Sequence, residues 1–125
     1  MTYVYDCLKY ADDVYADMEI VRTKGFDRDL KRIGATDSDY AALSAALAED
    51  PKAGDPIRGL SGVRKIRFAL PSRNIGKSGG ARAIYIVLEV EDALILLMAY
   101  QKNEKDELSA GDRKALKSIV DDLKG

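Results

Sequence analysis

The chain has 125 residues, 20 of them Lys or Arg and 21 Asp or Glu, for a formal net charge of −1. At 46% hydrophobic and 33% charged it reads as one folded domain, not a disordered chain, and buries about two thirds of its unfolded surface in one core. A single cysteine, Cys7, and the absence of histidine exclude an internal disulfide, a Cys-based zinc site, His-ligated metals and a Ser-His-Asp triad.

In chain order, residues 1–17 read as an N-terminal extension and 18–125 as a single domain. The extension carries Asp6, Asp12, Asp13 and Asp17 and no apolar h-region, unlike a signal peptide. Two alternatives stay open there. Tyr3, Tyr5, Tyr10 and Tyr15 add a strand or cover an edge, or Met18 is the natural start. Met18 to Arg22 reads as a strand. Phe26, Leu30 and Ile33 mark one face of a helix ended by Gly34. Asp37 or Ser38 is the expected cap of a second helix, carrying Tyr40, Leu43 and Leu47 and ending before Pro51. A Pro- and Gly-rich loop leads to Val63–Leu70, where Ile66, Phe68 and Leu70 alternate with Lys65 and Arg67, placing the two cations away from the core. Ala81–Val90 and Ala93–Tyr100 are apolar runs joined by a tight turn at Glu91-Asp92, and the second, with no polar face, is the expected central strand. It is far short of the roughly 20 apolar residues of a membrane span. Ser109 with Asp112 predicts a capped final helix striped by Leu116, Ile119, Val120 and Leu123. The order βααβββα with a mostly antiparallel sheet defines an α+β domain.

Charge is segregated along this frame. Residues 1–55 balance to −5 and 89–125 to −3, whereas 56–88 hold Arg58, Arg64, Lys65, Arg67, Arg73, Lys77 and Arg82 and no acid, a balance of +7. Such crowding costs stability unless an anion offsets it, and phosphate or an acidic protein are the natural candidates. Gly76-Lys77-Ser78 is not a nucleotide-binding phosphate loop, because Pro71 stands where that motif needs glycine and a strand, not a helix, follows. Cys7, among acidic neighbours, lacks the setting of a reactive thiol.

The strings Gly62-Val63-Arg64-Lys65-Ile66-Arg67, Gly76-Lys77-Ser78-Gly79-Gly80-Ala81-Arg82 with Tyr85, Leu96-Leu97, Tyr100, Lys102-Asn103-Glu104-Lys105 and Leu108-Ser109, extended upstream by Thr23-Lys24-Gly25-Phe26, closely resemble the RelE/ParE superfamily of bacterial toxins and its HigB-like RelE branch. The resemblance implies a small twisted sheet with an N-terminal helical hairpin and a C-terminal helix. It implies the toxin of a type II toxin–antitoxin system, an endoribonuclease that cuts mRNA in the ribosomal A site with no metal and no cofactor. The implied partners are the ribosome with its mRNA and a cognate antitoxin bearing a helix-turn-helix, through which alone operator DNA is reached; the implied location is the cytoplasm, with no membrane partner.

The resemblance also assigns roles. Lys65 and Arg67 clamp phosphate, Arg82 stabilises transition-state charge, and Lys102 and Lys105 reach the scissile phosphate or leaving group. Arg67 stands where several ribonuclease members have lysine, and arginine stays protonated, so the base falls to Lys65 or Lys102. Arg64, Arg73, Lys77 and Tyr85 are the expected RNA contacts. The family's C-terminal tyrosine has no counterpart near Ser109, with Tyr85 or Tyr100 as substitutes. Strict alternation puts Arg82 with Ile84 and Ile86, so a bend is expected to re-aim it. Alternative readings on the same fold are a ParE-like DNA gyrase poison and a non-catalytic member that binds antitoxin or RNA.

Overall fold

The computed structural model describes residues 7–10, 18–105 and 107–124. Its elements are β1 (Cys7–Tyr10), β2 (Glu19–Thr23), α1 (Lys24–Ile33), α2 (Asp37–Glu49), β3 (Asp55–Pro56), β4 (Val63–Phe68), β5 (Ala81–Leu88), β6 (Ala93–Gln101) and α3 (Ala110–Lys124), with short 3₁₀ turns at Pro71–Arg73 and Glu89–Glu91. The strands form one sheet in the order β1-β2-β6-β5-β4-β3. β2 and β6 run parallel; the other neighbours are antiparallel. The expected α+β order is therefore present, with β1 and the two-residue β3 added at the edges. Of the tyrosines expected to build or cover an edge, Tyr10 ends β1, while Tyr3, Tyr5 and Tyr15 lie outside the described residues.

Local chemistry explains the helix ends. Thr23 caps α1 by accepting the Phe26 N–H at 3.1 Å and donates its hydroxyl to the Leu96 carbonyl at 2.9 Å, fixing α1 to the sheet. Gly34, at φ 72°, ends α1 in the left-handed region, as its sequence position predicts. The cap of α2 is Thr36, not Asp37 or Ser38. A capping box needs an acceptor three residues on, and Asp39 stands there: it accepts the Thr36 N–H at 2.8 Å while its own N–H meets the Thr36 hydroxyl. Asp39 is wholly buried and also accepts the Ser72 N–H and hydroxyl, at 2.9 and 2.6 Å. Burial alone would raise its pKa; the bonds from Ser72 and Thr36 outweigh it and hold the carboxyl below its ordinary value. Ser109 and Asp112 form the expected box at α3.

The sheet has a core on each face, so the β4 face that carries Lys65 and Arg67, expected to point away from the core, is itself a core face at Val63. Phe68, Ala83, Tyr85, Leu94 and Leu96 pack on one face against Phe26, Leu30, Leu43 and Leu47 of the helical hairpin. Val63, Ile84, Ile86, Ile95, Leu97 and Tyr100 pack on the other against Leu116 and Val120 of α3. β6, the expected central strand, is indeed flanked by β2 and β5 and covered on both faces. The β5–β6 connection is a 3₁₀ turn closed by Asp92 at φ 51°, and β5 ends at Leu88, leaving Val90 on the tip 99% exposed.

Candidate functional site

Because cross-strand partners share a face, the pairings Lys65↔Ile84 and Arg67↔Arg82 put all four side chains on the α3 side of the sheet. Arg82 needs no bend to join the cations: the face that carries Ile84 and Ile86 is theirs also. α3 covers that face over Val63, Ile84 and Ile95, and leaves Arg67 exposed beyond it.

The row continues onto β6 through Arg82↔Tyr100. Simple alternation from Ile95 and Leu97 would turn Tyr100 to the opposite face. The register instead jumps from Ile84↔Met98 to Tyr85↔Leu96, and this bulge brings Tyr100 round beside Arg82. The result is a row, Arg67–Arg82–Tyr100, across three strands.

The glycine-rich connection closes over Arg82. Arg82 is 8% exposed, and its guanidinium donates to the carbonyls of Lys77, Ser78 and Ala81 at 3.4, 3.2 and 3.3 Å. Gly80 lies so near the end of β4 that a Cβ there would stand 2.3 Å from the Phe68 carbonyl oxygen. Its own carbonyl accepts the Lys102 N–H at 3.1 Å, which ties the loop to the corner after β6. Two separate depressions lie beside this loop. One, of about 570 Å³, lies between α2 and β4 and is lined by Lys65, Arg67 and Lys77 together with the carboxylates Glu49 and Asp55; the other, of about 420 Å³, is bordered by Gly79 and Lys102–Lys105. Among the described residues no carboxylate lies within ion-pair distance of Lys65, Arg67, Lys77, Arg82 or Lys102, although Asp55 stands across from Lys65 on β3, and this cationic excess suits an anion.

The remaining predicted residues stand differently. Lys105 is at the site but pairs with Asp112 at 2.7 Å, and its ammonium lies 5.3 Å above the centre of the Tyr100 ring. That bond, the largest influence, holds the Asp112 carboxyl below its ordinary range. Asp112 went unrecognised as a partner of Lys105, although its capping position marked it as fixed. Arg64 donates to the carbonyls of Gly54 and Lys52 at 2.7 and 3.2 Å, bracing β3. Arg73 donates to the Ile33 carbonyl at the end of α1 and to Gln101. Tyr85, expected to meet RNA, is wholly buried on the opposite face, its hydroxyl accepting the Gly54 N–H at 2.9 Å.

Chemically, the site offers permanent guanidinium charge at Arg67 and Arg82 and lysine amines at Lys65 and Lys102, beside a loop whose backbone can lie close to a polyanion. That set suits a phosphodiester.

The isolated E. coli RelE toxin is 22% identical, covers 74% of this chain and 92% of its own, and superposes with a TM-score of 0.43. A mutant of the same toxin in its free state is 17% identical, covers 70% and 85%, and has a TM-score of 0.47. The family described as the RelE toxin of the RelE/RelB toxin–antitoxin system matches residues 18–125, nearly the whole chain. The chain belongs to the RelE family of toxins, whose counterpart is a cognate antitoxin.

Proposed function

We propose that this toxin is a ribosome-dependent mRNA endonuclease that cuts in the A site without a metal. The observation that carries this reading is the cluster of Lys65, Arg67 and Arg82 on one face of β4 and β5, with Arg67 open to solvent and Arg82 beneath the loop, and no carboxylate within ion-pair distance among the described residues. The ribose 2′-OH attacks the adjacent phosphorus and the bond to the 5′-oxygen breaks, giving a cyclic phosphate and a free 5′-OH. A lysine accepts the 2′-OH proton only as the neutral amine, so one of the two lysines would have to react in that form, with Lys65 the first candidate and Lys102 the second. Arg67 and Arg82 stabilise charge gathering on the nonbridging oxygens, and Lys102 or Lys105 serves the departing oxygen. Arg82, already braced by three carbonyls, acts as a pre-positioned charge. Lys77 steers the backbone from the loop. The antitoxin presents an acidic or amphipathic segment to the same cations and carries the helix-turn-helix through which operator DNA is bound. The protein acts in the cytoplasm.

Toe-printing tests this directly. Purified protein added to initiated ribosomes with a vacant A site is expected to break the mRNA at the A-site codon. Intact mRNA overturns the reading, and intact mRNA together with trapped gyrase cleavage complexes replaces it by the gyrase-poison alternative.

A further inference from the structure

The Tyr100 side chain is 1% exposed, and its hydroxyl has no hydrogen-bond partner among the described residues. Tyr85, equally buried, has one. A buried hydroxyl without a partner keeps its desolvation penalty, which a phenylalanine in the same place would escape. The fold therefore gains nothing visible from this oxygen, yet the β6 bulge places the ring on the cationic face opposite Arg82. Lys105 lies over the ring and also lines the depression bordered by Gly79 and Lys102. Among the described residues its one charged partner is Asp112, a carboxylate that also holds the Ser109 N–H. A phosphate entering the depression offers Lys105 an equivalent partner.

We infer that Tyr100 is a further substrate-contacting residue: when a phosphodiester enters, Lys105 leaves Asp112 for a phosphate oxygen and moves off the Tyr100 ring that it covers, and the uncovered hydroxyl donates a hydrogen bond to a nonbridging oxygen beside Arg82. The inference rests on the RNA-cleaving reading above. It requires no proton transfer from tyrosine. Burial pushes the phenol above its ordinary pKa, more than the nearby Arg82 pulls it down, so the donor stays protonated at neutral pH.

Tyr100→Phe in the full chain tests this, in single-turnover cleavage on mRNA-programmed ribosomes with thermal melts alongside. The variant is expected to melt at or above the wild-type temperature and to half-saturate at the same ribosome concentration. Its cleavage should be slower on the order of 10²-fold, the loss of one positioned donor. Cleavage at the wild-type rate overturns the inference and leaves the nuclease reading standing. A lower melting temperature accompanying the loss also overturns it, by making the hydroxyl structural. A wild type that does not cut removes both.

Discussion

Gly80→Ala is expected to destabilise the protein by on the order of 3 kcal/mol, lowering Tm by about 10 °C. The added methyl would stand 2.3 Å from the Phe68 carbonyl oxygen and 2.9 Å from that of Gly76, and both obstacles are backbone. Relief requires β4 and the loop to part. That movement would pull on the Lys102–Gly80 hydrogen bond and on the Lys77, Ser78 and Ala81 carbonyls that hold Arg82. Gly76→Ala, in the same loop, is the control: its Cβ meets nothing within 4 Å and should leave Tm nearly unchanged. Melts followed by circular dichroism decide the matter, and equal Tm values for the two variants would refute the close-approach argument.

Lys65→Ala combined with Arg67→Ala is expected to slow single-turnover mRNA cleavage by about 10³-fold or more. Loss of a positioned proton acceptor costs about 10²–10⁴-fold, and loss of a charge stabiliser adds to it. Tm should hold or rise slightly, because neither side chain has a carboxylate partner among the described residues and removing like charges relieves repulsion. Arg67→Lys alone should retain most of the activity, since it keeps the charge. A double variant that cuts within tenfold of wild type would move the chemistry away from β4.

Much of the frame was legible in the chain itself. Phe26, Leu30 and Ile33 repeat at helical spacing and all three are buried on α1. The unbroken apolar run of β6 announced a strand covered twice, as it is. The cation-rich, acid-free window was visible as composition, and the strand register then aligned Arg67 with Arg82.

What stayed hidden depended on contacts between distant segments. The Thr36 cap was missed because nearer residues also qualify by type; the position of Asp39 decides it. Arg64 and Arg73 look like Lys65 and Lys77 in a charge count. Their guanidiniums are spent on carbonyls brought close by the fold, at Gly54 and at the end of α1. The bulge that turns Tyr100 toward Arg82 has no local marker, since every residue from Leu94 to Ala99 is apolar and a slip in phase leaves that pattern unchanged. That a second face is covered followed from β6, but what covers it did not, because Val63, Ile84 and Ile86 meet Leu116 and Val120 only when α3 returns across them.

The central claim, that the cations of β4 and β5 hold one stretch of RNA backbone, is tested most directly by salt-dependent binding of an uncleavable 2′-O-methyl RNA. Each phosphate contact to a single strand contributes about 0.7 to the slope of log affinity against log salt. Lys65→Ala/Arg67→Ala is therefore predicted to flatten that slope by about 1.4. Lys114→Ala/Lys117→Ala, which removes two exposed cations from α3, should leave it unchanged. Equal flattening in both pairs, or none in the first, would contradict a dedicated phosphate site on the open end of the sheet.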